Sequence, residues 1–600
     1  MFQSFKVTAR PEQGPPRLHA LRGQLDTENL DGFLIPRADA HQGEYVSAHD
    51  ERLAWLTGFT GSAGFCAALR EVAGLFVDGR YRTQVKAQAA DVYTPVPWPE
   101  VSLAKWLIDH LPNGGRIGFD AWLHTPGQIT QAQAALSGTG ISLVQCDNLV
   151  DRIWEDQPPP AAAPAKVHPL EFAGESHADK RARLGKALTS AGAASAVITL
   201  PDSLCWLLNI RGSDIPRNPI AQGFAVLHAN GTVDLFMDEA KLADLQDHLG
   251  PEITCHDPAC FPKMLEALPG PVLLDKSSVP VRVADIIKDK VQWGTDPCAL
   301  PKACKNAAEI HGSAKAHLRD GAAVVELLAW LDTQPAGSLT ETQVVTKLES
   351  LRRRDNALQD ISFETIAGTG PNGAIMHYRV TTETDSALQN GQLIVLDSGG
   401  QYLDGTTDIT RTIAIGTPSQ EARAAFTRVL MGMIAMSRLR WPKGLAGRDI
   451  EAIGRAPLWY AHQDFDHGLG HGVGAYLSVH EGPQGLSRAN SVPIQAGMIL
   501  SNEPGYYREG AFGIRIENLI VAETATSPEG GDAHRDMLAW RTLTFAPIDR
   551  RLIITDMLDS PTRLWLDRYH AETLEKIGPH VSSDARIWLE QATAPLSFQT

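Results

Sequence analysis

Long apolar stretches are missing from this 600-residue chain. No run approaches the ~18 residues that a membrane-spanning helix requires. Met1 to Arg22 carries Lys6, Arg10 and Pro15-Pro16 but no apolar core, so it does not read as a secretion signal. Cysteine is scarce. The seven thiols (Cys66, Cys146, Cys205, Cys255, Cys260, Cys298, Cys304) form an odd, irregularly spaced set, which is no disulfide framework. No CxxC pair exists, which argues against a zinc ribbon. The chain therefore reads as a cytoplasmic protein of a reducing compartment with no membrane partner. All seven cysteines precede Asn306, so the remainder holds neither a thiol nucleophile nor a thiolate metal site.

Basic charge is also in short supply. Lys and Arg number 54 against 70 Asp and Glu, a formal net charge of −16. Nucleic-acid binding needs clustered cations. Only short runs such as Arg352-Arg353-Arg354 occur, and these read as a solvated helix face, so no nucleic-acid partner is expected. Phosphate-binding loops are absent. Gly368-Thr369-Gly370-Pro371-Asn372-Gly373 has dinucleotide-fingerprint spacing, but Pro371-Asn372 reads as a turn and Ala374 to Tyr378 as a strand, where a real fingerprint opens a helix. His480-Glu481 begins like a zincin motif. Gln484 stands where the second histidine belongs, however, and Gly482-Pro483 would break the helix. Ser62 lacks the upstream glycine of a nucleophile elbow, because Thr60 is there.

What is present is globular, with 43% hydrophobic residues, and the length suggests three or four domains. Pro158-Pro159-Pro160 followed by Ala161 to Ala165 marks a linker over Gln157 to Lys166. The flanking segments look duplicated. Leu53-Ala54-Trp55-Leu56 then Gly61-Ser62 matches Leu204-Cys205-Trp206-Leu207 then Gly212-Ser213, with the same Trp-to-Gly spacing. Leu75 to Asp78 matches Leu235 to Asp238, and Ile117 to Asp120 matches Val272 to Asp275. The texture changes after Cys304. Ala307 to Leu331 has helical periodicity, Ser338 to Glu341 resembles a capping box opening a helix through Leu351, and Asp408 to Ile415 alternates as a strand with Asp408 and Thr410 on one face. A helix is expected from Ser419 to Leu439, and another after Ser560-Pro561, read as N-cap and first helical residue. Expected boundaries are 1–157, 166–305 and 306–600.

Four segments of the last stretch carry chemistry. Leu393 to Asp397 is an apolar strand ending in a carboxylate beside Gly399-Gly400. Asp404 to Arg411 follows, so that a hairpin would put Asp397 and Asp408 on neighbouring strands. His467-Gly468-Leu469-Gly470-His471-Gly472 exposes two imidazoles among glycines. Leu500 to Glu503-Pro504-Gly505 precedes Gly513-Ile514-Arg515-Ile516-Glu517, in which Arg515 and Glu517 would share one strand face. Each piece alone reads as an ordinary turn or surface charge. Together, four carboxylates on apolar strands would repel without a counterion. Two divalent cations would offset them, and oxygen-rich ligation with one imidazole favours Mn²⁺-like metals.

The order Asp397, Asp408, His471, Glu503, Glu517 resembles the ligand signature of the pita-bread metallopeptidases. Arg211 to Ile215, Gly368 to Tyr378, His467 to Gly474, His480 to Pro483, Glu503 to Tyr507, Asp39-Ala40-His41-Gln42 and Thr60 to Gly64 resemble the three-domain cytosolic Xaa-Pro aminopeptidases over nearly the whole chain. The resemblance implies an α/β (α+β) architecture: two related creatinase-type N-terminal domains, then a pita-bread catalytic domain with a helical tail. By similarity, Asp397 and Asp408 would hold one Mn²⁺, His471 and Glu503 a second, with Asp408 and Glu517 bridging. Glu503 would shuttle the proton of a bridging hydroxide. His377 and His480 would steady the substrate and the tetrahedral oxyanion, His467 would line a proline pocket, and Arg515, with Tyr507 nearby, would orient the groups around Glu517, both counted with the substrate-binding residues. Substrates would be peptides with proline second, and the resemblance implies a homodimer. A proline dipeptidase and a non-catalytic peptide-binding scaffold are the alternatives. The duplicated N-terminal domain disfavours the first and the complete ligand set the second.

Overall fold

The computed structural model describes residues 1–596. Residues 597–600, the end of the stretch assigned to the third domain, lie outside the described residues. The chain forms two compact units: Thr8–Leu300, and Pro301–Thr600 together with Met1–Val7.

The first unit contains two six-stranded mixed sheets of identical topology. In the first, the order is Thr94–Pro97, Ala73–Val77, Phe65–Leu69, Gly32–Pro36, Gly115–Phe119, Ile141–Gln145. In the second it is Ile253–His256, Val233–Phe236, Phe224–His228, Ser195–Ile198, Val272–Leu274, Val291–Trp293. Each sheet has two adjacent antiparallel pairs, formed by its first three strands in sequence, and three parallel pairs outside them. All three sequence matches fall on equivalent elements. The Trp motifs lie in the helices Arg52–Thr57 and Pro201–Leu208, and the two apolar runs in equivalent strands. The duplication read from the sequence is therefore a duplication of structure.

The second unit opens with the helix Ala307–Asp332. Asn306 caps it by accepting from the N–H groups of Ala308 and Glu309, while Glu309 Oε2 accepts from Asn306 N at 2.9 Å. The next helix runs Glu341–Arg352, but its cap is Thr340, whose N–H donates to Gln343 Oε1 at 2.9 Å, rather than the expected Ser338 paired with Glu341. Glu341 is thereby freed for another role. Gln420–Ser437 is helical as expected, capped by Ser419. Its buried side, including Phe426, Leu430 and Met433, packs in one core with Trp441, Leu500, Ile514, Leu566 and Tyr569. Each fully buried Leu or Ile there contributes roughly 1.5–3 kcal/mol. The expected helix after Ser560-Pro561 runs Ser560–Ile577 with Asp559, not Ser560, as its cap, and a further helix, Ser583–Ala592, follows. Trp565 stacks on the buried Tyr569, so this aromatic cluster is core.

Two antiparallel sheets position the site. Leu393–Ser398 lies between Ile366–Thr369 and Ile409–Ala414. The larger sheet has the order Arg440–Pro442, Met537–Thr542, Asn518–Thr524, Ile499–Asn502, Gly470–Gly472, Glu481–Leu486. The expected strand over Ala374 to Tyr378 is absent. Gly370–Ala374 is instead a 3₁₀ turn, followed by a turn carrying His377. Pro371 fits its first turn, where the missing N–H is not needed.

Candidate metal centre

The two sheets bring their strand ends together. Asp397 is the fifth residue of Leu393–Ser398 and pairs in register with Thr410, so Asp408 lies just beyond the neighbouring strand. Glu503 follows Ile499–Asn502 and is held by its N–H bond to Leu469 O at 2.8 Å. Glu517 precedes Asn518–Thr524, and its N–H donates to Thr410 O at 3.1 Å, stitching one sheet to the other. His471 is the middle residue of Gly470–Gly472. A Cβ on Gly470 would come within 1.9 Å of Ser501 O, so only glycine lets these strands approach. That approach lets Ser501 Oγ accept from His471 N at 2.9 Å and donate to Glu503 Oε1 at 3.0 Å.

Ligand-type atoms of Asp408, His471 and Glu517 all lie within 4.8 Å of one another. His471 Nε2 is 3.4 Å from Asp408 Oδ2 and 3.5 Å from Glu503 Oε1. His471 Nδ1 makes its own bond to Gly472 O at 2.9 Å. That bond places the proton of the neutral ring on Nδ1 and points the Nε2 lone pair at the carboxylates. Asp397 Oδ1 is buried with no hydrogen-bond partner. Burial, then repulsion from Asp397 and Glu503, holds Asp408 well above the usual carboxylate range. Burial, then Asp408 and Glu503, does the same to Glu517, and burial raises Glu503. Converging acceptors, a lone pair aimed among them and an orphaned buried oxygen are what a cation would satisfy. The donor set of oxygens with one imidazole suits hard or borderline divalent ions.

The surrounding residues form a hydrogen-bonded chain. Arg515 Nη2 donates to Asp397 Oδ2 at 2.7 Å and Nη1 to the Tyr507 hydroxyl at 2.5 Å. Tyr507 meets His467 Nε2 at 2.9 Å, and His467 Nδ1 bonds Gly468 O at 2.7 Å. Burial pushes the Tyr507 phenol up to about 12. The sequence reading put Arg515 beside Glu517 on one strand, and this is corrected. One strand ends at Arg515 and the next begins at Asn518, so Arg515 turns to Asp397. It reaches Glu517 only through Thr410, whose Oγ1 accepts from Arg515 Nε at 3.3 Å and donates to Glu517 Oε2 at 2.8 Å.

His480 packs edge-on against His471, with ring centroids 4.3 Å apart. The following residue, Glu481, is buried against the ammonium groups of Lys302, at 3.0 Å, and Lys305. His377 is half-buried on its turn. Ser501 and the two lysines escaped the sequence reading, and nothing local marks them. Thr410 was placed by alternation on the face of Asp408 but was given no role.

Residues 300–524 match the metallopeptidase family M24, and 536–596 match the C-terminal region of that family. Residues 17–153 and 156–309 match two forms of the creatinase/prolidase N-terminal domain. A Coccidioides posadasii protein named Probable Xaa-Pro aminopeptidase P is 37% identical over 99% of this chain and 95% of its own length. Arabidopsis thaliana Aminopeptidase P2 is 36% identical over 95% of this chain and 86% of its own. The crystal structure of a Caenorhabditis elegans X-prolyl aminopeptidase, described as a cytosolic enzyme with a di-nuclear active site, superposes with a TM-score of 0.93 at 32% identity. It covers 97% of this chain and 100% of that one. With two creatinase-type domains ahead of a catalytic domain whose carboxylates converge on one imidazole, the chain belongs to metallopeptidase family M24, among the Xaa-Pro aminopeptidases.

Proposed function

We propose that this chain is a metal-dependent aminopeptidase that hydrolyses the bond between an N-terminal residue and a following proline. The observation that carries the reading is the His471 Nε2 lone pair set 3.4 and 3.5 Å from two carboxylates that burial already disfavours as anions. Asp397 and Asp408 would hold one divalent cation and His471 with Glu503 a second, with Asp408 and Glu517 shared. Two such cations supply Lewis acidity and lower the pKa of water toward neutrality.

The chain's own groups do the rest. Glu503, steadied by Ser501, takes the proton of the attacking water and delivers it to the prolyl nitrogen as the C–N bond breaks. That nitrogen bears no hydrogen in the substrate, so the site need offer no acceptor there, and like any amine leaving group it gains the proton that Glu503 took from the water. His377 and His480 orient the scissile carbonyl and stabilise the developing oxyanion. His467, held by Tyr507, walls the proline pocket. Arg515 fixes Asp397 directly and reaches Glu517 through Thr410.

Mn²⁺ as the metal, a homodimer and a cytoplasmic setting belong to the same reading. They are supported by the oxygen-rich donor set, by the family likeness, and by a C. elegans neighbour described as cytosolic. No helix among the described residues is long and apolar enough to cross a membrane. The domain division 1–157, 166–305 and 306–600 is likewise proposed. It is supported by the lack of regular structure over residues 157–165.

The test is hydrolysis of an Xaa-Pro-Xaa tripeptide and an Xaa-Pro dipeptide after chelation and reconstitution with Mn²⁺, with products identified by mass. Release of the first residue from the tripeptide is expected. Cleavage of the dipeptide alone would make the chain a proline dipeptidase, and tight peptide binding without cleavage would make it a scaffold.

A further inference from the structure

Glu341 is a carboxylate with no place in the chemistry above, yet it is fully buried. It receives donors from four points of one loop. Thr369 N donates to Oε1 at 2.6 Å, and Ser386 N to Oε2 at 3.2 Å. Asn372 Nδ2 reaches both oxygens, at 3.0 and 3.1 Å, and the Tyr378 hydroxyl donates to Oε2 at 2.9 Å. Every one of these donors is neutral. Burial is the larger effect and pushes the carboxyl up to about 7 against their pull. A buried charge without a cation is expensive, and its surroundings describe what it organises.

Residues 369–386 form the loop that carries His377, immediately before the anchored Tyr378. The same loop meets the metal-site side of the fold. A Cβ on Gly513 would lie 1.7 Å from Gly373 O, so the 3₁₀ turn sits directly on the strand Phe512–Arg515. That strand ends in Arg515, the partner of Asp397. The glycine-rich run Gly368 to Gly373, which imitates a nucleotide fingerprint, is therefore a close-packed turn between a carboxylate anchor and the wall of the site.

We propose that Glu341 is a positioning residue for the reaction. Its carboxylate gathers Thr369, Asn372, Tyr378 and Ser386 and so fixes the turn that presents His377 to the substrate. The inference rests on the aminopeptidase reading for the role of His377, but the anchoring itself does not.

The Glu341→Gln change keeps the size and turns one acceptor into a donor facing donors. In the Mn²⁺-reconstituted full chain it is expected to lower kcat for a tripeptide at least tenfold, with unchanged metal content. In a His377→Asn background it is expected to add less than about twofold, because Glu341 acts through the placement of His377. Equal losses in both backgrounds would overturn the proposal. Tyr378→Phe, which removes a single donor, should give a smaller loss with the same coupling. It also serves if Glu341→Gln does not fold. Hydrogen exchange provides a readout without activity. Residues 369–386 should exchange at least tenfold faster in either variant while the helix Gln420–Ser437 is unchanged. Unaltered exchange in that loop would refute the anchor, whereas a wild-type chain that cleaves no proline peptide would refute the functional reading alone.

Discussion

Arg411 lies 2% exposed on the strand that follows Asp408, and all its partners are neutral oxygens. Nη1 donates to Thr410 O at 2.9 Å and Glu517 O at 2.7 Å. Nη2 is shared among Asn518 Oδ1, Ala546 O and the Tyr569 hydroxyl, each at 2.8 Å, and Nε donates to Pro547 O at 3.2 Å. One guanidinium thus ties the strand after Asp408, the start of the strand after Glu517, and the helix Ser560–Ile577. Lys in its place has three donors for six acceptors. An unmet buried acceptor costs about 1–3 kcal/mol. Thr410 O keeps the Glu517 N–H, and Asn518 Oδ1 and Ala546 O keep the Tyr569 hydroxyl, as second donors, so with one carbonyl left unmet Arg411→Lys should lower the local opening free energy by about 1–3 kcal/mol. Each 1.4 kcal/mol is tenfold, so backbone amides of residues 409–414 and 544–548 should exchange about ten- to a hundredfold faster. Arg411→Met satisfies none of the six and must be at least as disruptive. Local exchange is the right assay because a chain of two units does not unfold in one step. Exchange within threefold of wild type in Arg411→Lys, or a Met variant milder than the Lys variant, would show that the guanidinium does not hold these segments together.

Three further outcomes are expected. Mn²⁺ added to chelator-treated protein should raise the thermal midpoint, by the equivalent of about 2.7 kcal/mol at a hundred times its Kd, and Asp408→Asn should abolish the rise; a midpoint indifferent to the ion would remove the metal centre. His570 is fully buried and its Nε2 accepts from Ile548 N at 3.2 Å, while burial, then Arg550 and Arg411, lowers it from 6.5 to about 3. The unfolded chain takes up this proton first, so stability is complete above pH 6.5 and drains as pH falls toward 3, by about 4–5 kcal/mol in all; His570→Gln should flatten that acid limb in thermal scans. Asp320 accepts from Arg352 Nε at 2.7 Å and Nη2 at 2.8 Å and from the Tyr402 hydroxyl at 2.7 Å, all buried. Asp320→Asn strands the guanidinium and should cost about 3–5 kcal/mol, read as faster exchange in the helix Glu341–Arg352; a cost below 1 kcal/mol would mean that Ser398, which also accepts from Arg352, suffices.

The features legible from residue order are those that neighbours along the chain decide. Apolar strands ending in carboxylates, a glycine-flanked histidine and capped amphipathic helices are local patterns, and Asp397, Asp408, His471, Glu503 and Glu517 stand out by them. The duplicated sheets were legible because both copies keep their Trp helix and strand runs in the same order. Caps slipped by one or two residues, at Thr340 and Asp559, because several adjacent side chains could each accept the first free N–H groups. Glycine and proline spacing misled between Gly368 and Tyr378, since a strand pattern and a 3₁₀ turn share the same apolar residues over so short a run.

Long-range choice of partner was out of reach, and Arg515 shows why. Strand alternation puts it on the face of Glu517, and only a break between Arg515 and Asn518 makes that wrong. The break exists because Glu517 N is already committed to Thr410 O across the sheets. Once that bond forms, Thr410 Oγ1 donates to Glu517 and accepts from Arg515, and the guanidinium turns to Asp397. The consequence is chemical. A cation at Arg515 opposes binding of a metal at Asp397 electrostatically, yet it leaves Oδ1 of that carboxylate without a partner while occupying Oδ2. One oxygen is held in place and the other stays open, so the arginine orients a metal ligand more than it neutralises it. The same economy explains Glu341. Its helix cap is supplied by Thr340, so its carboxylate is spared for a loop that no periodicity connects to it.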